Sequence, residues 1–317
     1  MLDIKGLKTY YFTLSGPIRA VDDVDFWIEE GMSCGLAGES GCGKSTMALS
    51  IMRLLTPPGR VVGGEIILDR EDILRMSEEE IRDVRWSKVS MIFQGAMNAL
   101  NPVHKVGSQI VEAITNHKDV SKKEAWERAR ELLELVGIDG SRARDYPHEF
   151  SGGMKQRVMI AMALALEPKL LIADEPTTAL DVVVQRQIIN LLKSLKSKLG
   201  LSVLLISHDL GIMSEMSNTI GIMYAGKIVE NAPTEAIFTS PLHPYTQGLL
   251  SSRPMLRGPI TRLRSIPGLP PDLLQPPAGC RFHPRCPYAM EKCTKLEPEL
   301  LEIEKGHYAA CHLLEEG

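Results

Sequence analysis

No run of apolar residues long enough to cross a bilayer occurs in these 317 residues. The longest clean one, Val158 to Leu166, is nine residues, whereas a membrane-spanning helix needs about 20. An excess of positive charge is also missing. Lys+Arg total 36 against Asp+Glu 40, a net charge of −4, so the composition carries no general signature of a nucleic-acid partner. The opening stretch MLDIKGLKTYYF contains Asp3 and no apolar segment of secretory type, which makes the cytoplasm the expected location. There is no internal repeat and no low-complexity tract. With 44% hydrophobic and 24% charged residues, the composition is that of a folded globular chain, which argues against disorder or a collagen-like assembly. The length suits one large domain, or a domain with an appendage.

The appendage has its own chemistry. Four of the six cysteines lie between Cys280 and Cys311, and nine of the 20 prolines lie between Pro254 and Pro287. The last 60 residues or so are therefore expected to be built differently from the rest. Elsewhere, short apolar segments alternate with helix-period segments, the pattern of an α/β architecture. The expected strands are Ser33–Ala37, Val89–Phe93, Leu170–Asp174 and Val203–Ser207. Val184, Ile188, Leu191, Leu192, Leu195 and Leu199 fall on one face of an expected helix, and Trp126, Ala129, Leu133 and Val136 on another. Between Gly95 and Ala165 helical patterns dominate, which predicts a helical subdomain inserted into the α/β core. After Ile237 the periodicity fades and proline-rich loops take over.

Two motifs carry phosphate chemistry. Gly38-Glu39-Ser40-Gly41-Cys42-Gly43-Lys44-Ser45-Thr46 fits G-x-x-x-x-G-K-[ST], follows an apolar strand and opens the helical segment Thr46–Leu55. In such a loop the glycines let backbone amides close round phosphate oxygens at a helix N-terminus. Lys44 is then expected at the β- and γ-phosphates and Ser45 on Mg²⁺. Leu170-Leu171-Ile172-Ala173-Asp174-Glu175 is an apolar strand ending in two carboxylates. Asp174 suits Mg²⁺, and Glu175 suits the acceptor of a proton from the water that attacks the γ-phosphate.

Between these motifs lies Phe150-Ser151-Gly152-Gly153-Met154-Lys155-Gln156-Arg157. With it, the chain resembles the nucleotide-binding subunits of ATP-binding-cassette (ABC) transporters, whose signature is LSGGQ. Phe150 and Met154 replace the Leu and Gln of that signature, while Ser151, Gly152 and Gly153 keep its centre. Gln94 looks like the Q-loop glutamine, a nucleotide and Mg²⁺ contact. Asp181 in Ala179-Leu180-Asp181 matches the D-loop, His208 the switch histidine, and Tyr11 the aromatic that stacks on adenine, although Tyr10 and Phe12 adjoin it. The resemblance covers about Met1 to Ile237. It implies an α/β P-loop NTPase (RecA-like) core with an N-terminal β subdomain, an inserted helical subdomain and a small Cys/Pro-rich C-terminal extension. The implied divisions are 1–94 and 166–237 for the core, 95–165 for the helical signature subdomain and 238–317 for the extension. Lys44, Glu175 and His208 are the implied catalytic residues.

The resemblance also implies that one chain cannot complete the reaction. In the family, ATP lies between the phosphate loop of one subunit and the Ser-Gly-Gly signature of a second, paralogue or copy, arranged head to tail. ATP binding closes the pair and hydrolysis reopens it. Two transmembrane permease subunits are implied, contacting the region Gly95 to His117, with an extracytoplasmic substrate-binding protein and a place at the cytoplasmic face of the membrane. A soluble cassette ATPase serving DNA or ribosomes is the rival. Those proteins usually carry tandem cassettes or a coiled-coil insertion, but only 56 residues separate Gln94 from Ser151 here. A P-loop kinase is disfavoured by the signature, Asp181 and His208.

The tail narrows the branch. Ser240-Pro241-Leu242-His243-Pro244-Tyr245-Thr246, Ile266-Pro267-Gly268 and Cys280-Arg281-Phe282-His283-Pro284-Arg285-Cys286-Pro287, followed by Cys293 and Cys311, resemble the C-terminal extension of ATPase subunits from oligopeptide, dipeptide and nickel importers. The run Phe93-Gln94-Gly95-Ala96-Met97-Asn98-Ala99-Leu100-Asn101-Pro102 is similar to the same branch. Relatives with this tail also serve oligosaccharides. The spacing C-x5-C-x6-C-x17-C lacks the C-x2-C pairs of common zinc sites, and structural disulfides are unexpected in the cytoplasm. Four thiolates suit a [4Fe–4S] cluster, which some members of the branch carry, or Zn²⁺; plain reduced cysteines are the third possibility. A structural role for any such centre is preferred over a redox one. Cys34 and Cys42 read as packing residues.

Overall fold

A computed structural model describes residues 1–95, 99–252 and 266–315. Ala96, Met97 and Asn98 of the run after Gln94 lie outside the described residues, as do Pro254 and Pro259. The chain forms two compact units: Met1–Ile28 with Ser33–Leu74 and Ser207–Gly317, and Glu29–Met32 with Arg75–Ile206. The first unit begins with β1 (Leu2–Thr13), β2 (Gly16–Ile28), β3 (Ser33–Ala37), α1 (Lys44–Ile51), β4 (Gly59–Leu68) and β5 (Glu71–Asp72). The second unit follows with α2 (Glu78–Val84), β6 (Val89–Ile92), α3 (Val106–Thr115), α4 (Lys122–Leu135), α5 (Gly152–Ala163), β7 (Leu170–Asp174), α6 (Val182–Leu199) and β8 (Ser202–Ile206). The chain then returns to the first unit for α7 (Leu210–Met216), β9 (Thr219–Tyr224), β10 (Lys227–Pro233), α8 (Thr234–Thr239) and α9 (Pro244–Ser251). It ends there with α10 (Glu291–Lys295), β11 (Leu301–Glu304) and β12 (His307–Ala309).

In the first unit β1 lies between β2 and β4, both antiparallel to it, and β5 follows β4 at the edge. Leu2, Ile4, Leu7 and Thr9 are the buried positions of β1. The three-residue step from Ile4 to Leu7 coincides with a register shift against β2. That bulge breaks the period-2 pattern by which a strand is read from sequence. The unit's other sheet runs β11-β12-β10-β9-β3, with β3 parallel to β9 and the remaining pairs antiparallel. The described residues near the C-terminus are tied to the sheet, because β12 pairs directly with β10 through Glu230↔Ala309 and Asn231↔Tyr308.

A fully buried carboxylate is one of the groups that tie that tail in place. Glu230, fully buried, accepts from the backbone N–H of Leu242 at 2.7 Å and of His243 at 3.0 Å, and pairs with His307 Nε2 at 2.7 Å. A buried carboxylate is tolerable only when its oxygens are met in this way. His243 is the N-cap of α9, its Nδ1 accepting from Tyr245 N–H at 3.0 Å. Burial pushes its imidazole pKa down to about 3.

In the second unit β8, β7 and β6 pair in parallel. Every residue of the three is buried, which is why they read as continuous apolar runs rather than as alternation. The expected strand ends differ slightly: β6 stops at Ile92, and β8 spans Ser202–Ile206 rather than Val203–Ser207. The helices start where capping chemistry permits. Ser121 and Glu124 form a reciprocal capping box for α4, and Asp181 accepts from the N–H groups of Val183 and Val184 to start α6. Gly200, left-handed at φ 65°, ends α6.

Phe26 of β2 is fully buried against Gly221 of β9, where an added Cβ would stand 2.7 Å from its ring. Phe26→Ala is therefore expected to lower stability by about 3–5 kcal/mol, read from the denaturant midpoint. His243 gives a pH signature. The unfolded chain takes up this proton near pH 6.5, whereas the folded one holds the ring neutral to about pH 3. Stability should therefore fall as pH drops below about 6.5. His243→Asn, which retains a capping oxygen, should show a smaller loss between pH 7 and pH 5 in urea titrations.

Candidate nucleotide-binding site

The phosphate loop joins β3 to α1 and is gripped on both sides by backbone. Gly38 sits at φ 152°, and a Cβ there would stand 2.1 Å from Met223 O. Gly43, at φ 112°, would place a Cβ 2.1 Å from Ala20 O. Neither position accepts a side chain, so the loop must run as bare backbone between β2 and β9. Gly43 is the N-cap of α1, and Met47 N–H returns to its carbonyl at 2.9 Å. The amides ahead of that turn lie at the positive end of the helix.

Lys44 is buried. Its ammonium donates to Gly38 O at 2.8 Å and Glu39 O at 2.9 Å, and lies 3.5 Å from Cys42 Sγ. Burial raises the Cys42 thiol pKa, so the sulfur is neutral. The cation is thus held by neutral groups. Ser45 and Thr46 follow in the first turn of α1, partly accessible. Of the three neighbouring aromatics, Tyr11 adjoins this turn, its Oη 3.4 Å from Thr46 Oγ1. Tyr10 donates to Asp22, and Phe12 lies beneath the Arg60 guanidinium at 4.1 Å. His208 also belongs to this unit, exposed beside Asp209, whose carboxylate accepts from Gly211 and Ile212 to start α7.

The second unit holds the acidic strand end. Asp174 closes β7 and is buried. Glu175 follows with φ 47°, its N–H bonded to Ile206 O at 2.9 Å. Its Oε2 accepts from Gln94 Nε2 at 3.2 Å and from Thr178 Oγ1 at 2.7 Å. The structure therefore brings together Gln94 and Glu175, which lie 81 residues apart. Ser151 and Asp181 are helix N-caps: Ser151 Oγ accepts from Met154 N–H at 3.4 Å to start α5. Gly152 is exposed, and Gly153 approaches α6 so closely that a Cβ would stand 2.6 Å from Val184.

The four tail cysteines are free thiols. Cys280 N–H donates to Cys293 O at 2.9 Å, and Met290 N–H lies 3.5 Å from Cys293 Sγ. Burial pushes the Cys280 thiol up to about 11, with the other three sulfurs adding to the rise. Burial likewise raises Cys286 and Cys311. Soft thiols within electrostatic reach of one another are the right donor type for iron–sulfur or zinc. Even so, among the described residues no three His, Cys, Asp or Glu side chains are placed to hold one metal ion.

Glu39, Tyr245, Arg281 and Arg285 carry no role that the sequence alone marks, yet all four belong to this region. Arg285 donates to both carboxylate oxygens of Glu39, at 2.6 and 3.0 Å. Tyr245 Oη accepts from Glu39 N–H at 2.9 Å. Arg281, also buried, pairs with Asp22. Partners 246 residues apart leave no local signal. The only hint was that two arginines stand inside the cysteine-proline cluster.

Residues 21–178 match the ABC transporter family, and residues 229–293 match the oligopeptide/dipeptide transporter C-terminal region. The chain is 49% identical over 319 residues to the oligopeptide transport ATP-binding protein AppD of Bacillus subtilis (strain 168), covering 100% of this chain and 97% of that one. It is 46% identical over 314 residues to the dipeptide transport ATP-binding protein DppD of Escherichia coli (strain K12), covering 98% and 96%. Among solved structures, the ATP-binding cassette MJ0796, a dimer in a post-hydrolysis state bound to ADP and Pi, is similar with a TM-score of 0.66 and 29% identity. That match covers 74% of this chain and 99% of that one. CbiO1 from Clostridium perfringens, part of the ABC transporter complex CbiONQ, matches with a TM-score of 0.66 at 27% identity, covering 75% and 90%. The chain belongs to the ATP-binding subunits of ABC transporters, in the group that carries the oligopeptide/dipeptide C-terminal region.

Proposed function

We propose that this chain hydrolyses ATP to drive import of peptides, or of related small solutes, as a peripheral subunit at the cytoplasmic face of the membrane. The observation that carries the reading is Lys44, a buried ammonium held by neutral carbonyl and thiol groups inside a glycine-rich loop. A triphosphate supplies the negative charge that such a site lacks. The loop amides from Gly38 to Gly43 and Lys44 would bind the phosphates, with Tyr11 beside the base. Ser45, Gln94 and Asp174 offer hard oxygen donors of the kind Mg²⁺ takes, which would neutralise charge on the β- and γ-phosphates. Glu175 is the proposed base. Bonds from Gln94 and Thr178 orient its carboxylate, and His208 would contact the γ-phosphate. Ser151, Gly152, Gly153 and Asp181 would serve the nucleotide of a second subunit in a head-to-tail dimer.

The remaining partners follow from that reading. Two permease subunits would dock on the helical segment around α3, and an extracytoplasmic binding protein would deliver the cargo to them. Peptide cargo is supported by the names of the oligopeptide and dipeptide relatives. An oligosaccharide or nickel importer of the same build is the alternative. For the four cysteines a [4Fe–4S] cluster is the preferred occupant on the donor type alone, four thiols within 32 residues, with Zn²⁺ or plain reduced cysteines as the alternatives.

Glu175→Gln is expected to lower turnover by about 10²–10⁴-fold while leaving ATP affinity within about threefold. Near-normal turnover of this variant in the assembled transporter would remove Glu175 from the role of base. Protein purified without oxygen should contain about four irons per chain and absorb broadly near ~400 nm. Stoichiometric zinc instead would refute the cluster.

A further inference from the structure

The phosphate loop carries a carboxylate for which ATP binding has no direct use. Glu39 follows Gly38, the first residue of the loop, and a negative side chain there repels the polyanion the loop has to hold. Arg285 takes both of its oxygens. Nη1 lies 2.6 Å from Oε2 and Nη2 lies 3.0 Å from Oε1, the two-pronged pairing in which guanidinium and carboxylate match in shape as well as charge. The guanidinium is buried and fixed from its other sides. Its Nε donates to Pro267 O at 2.8 Å, and Nη1 also reaches Tyr224 Oη at 3.3 Å.

A second bond fixes the loop backbone at the same residue. Glu39 N–H donates to Tyr245 Oη at 2.9 Å. The Tyr245 ring is fully buried, 4.6 Å from Tyr224 and 5.4 Å from Phe282 between centroids. Arg285 itself ends a tight turn between Cys280 and Cys286, with His283 N–H bonded to Cys280 O at 3.0 Å and Arg285 N–H to Phe282 O at 2.9 Å. From the same turn Arg281 pairs with Asp22 and donates to Ala225 O. Gly226, next along, donates its N–H to Cys42 O at 2.8 Å, in the middle of the loop. The cysteine-bearing segment thus meets the phosphate loop directly at Glu39 and indirectly at Cys42.

We propose that Arg285 and Tyr245 are positioning residues for ATP. Arg285, from the cysteine-bearing segment, neutralises Glu39, and Tyr245, from α9, fixes the backbone at the start of the loop, which then presents amides rather than a carboxylate to the triphosphate. The proposal rests on the ATP reading above and adds a dependence of ATP affinity on the tail. It predicts a change in ATP dissociation constant and KM rather than in kcat, because none of the residues at Glu175 is disturbed.

Calorimetric titration of ATP into the full chain tests it. Arg285→Ala should bind ATP about tenfold more weakly. Adding Glu39→Gln to Arg285→Ala, which removes the exposed charge, should restore most of that loss. A purely space-filling arginine would not be rescued in this way. If Arg285→Ala does not fold, Arg285→Lys, which keeps the charge and loses the fork, should bind about threefold more weakly. Unaltered affinity in the folded Arg285 variant overturns the proposal, as does a double variant no better than Arg285→Ala. A wild-type chain that gives no heat with ATP overturns the ATP reading and this proposal together; wild-type binding with an unaffected variant overturns this proposal alone.

Discussion

A loop that wraps a polyanion with its backbone has to give up side chains and slack, and the surrounding elements of the first unit are arranged round that demand. At Gly38 and Gly43 the neighbouring carbonyls, Met223 O and Ala20 O, come so near that a Cβ would stand 2.1 Å from each. The loop is held where it is by β2 and β9, and those strands are held by buried contacts such as Phe26 on Gly221. Helix α1 then directs its N-terminal amides at the space the loop encloses. Lys44 completes the site as a cation whose present partners are neutral. With ATP in the loop as proposed, binding energy for phosphate would be stored in the fold as oriented dipoles and one buried charge, so little would have to reorganise when the nucleotide arrives.

The second unit solves a different problem, which is to keep charged and amide groups in order at the ends of wholly buried strands. Buried β6, β7 and β8 can carry polar chemistry only where they stop, and Gln94, Asp174 and Glu175 stand there. The bonds from Gln94 and Thr178 fix Glu175 in one orientation. Ser151 and Asp181 each start a helix, so the N-cap role that the structure shows and the phosphate or partner contact proposed for them fall on the same residues.

The sequence was most legible where chemistry is local. The phosphate loop, the strands β3 and β7, and the amphipathic face of α6 are each written in a short continuous stretch. The strands β1, β2 and β4 were not read individually, because the bulge between Ile4 and Leu7 breaks their alternation and much of their surface is polar. The tail appeared as loops because β11 and β12 are short and partly exposed, yet β12 pairs with β10 and Glu230 anchors the segment from within. Individual candidates such as Gln94 and Glu175 could be named from sequence, but not the bond between them. The Arg285–Glu39 pair was out of reach, since nothing in either neighbourhood specifies the other.

What joins these parts is that a tail with little core of its own is bound into the unit that holds the phosphate loop, through Glu230, Arg281 and Arg285. The central claim is that ATP lies in the loop from Gly38 to Thr46, cradled by its backbone. Amide hydrogen exchange on the full chain, with and without Mg²⁺ and ATP, tests it most directly. Exchange at residues 40, 41 and 43–46 should slow on adding nucleotide, because amides there become donors to phosphate, whereas Glu39 N–H already donates to Tyr245. If exchange there is unchanged while other segments of the chain respond to ATP, the phosphates are bound elsewhere and the claim is wrong.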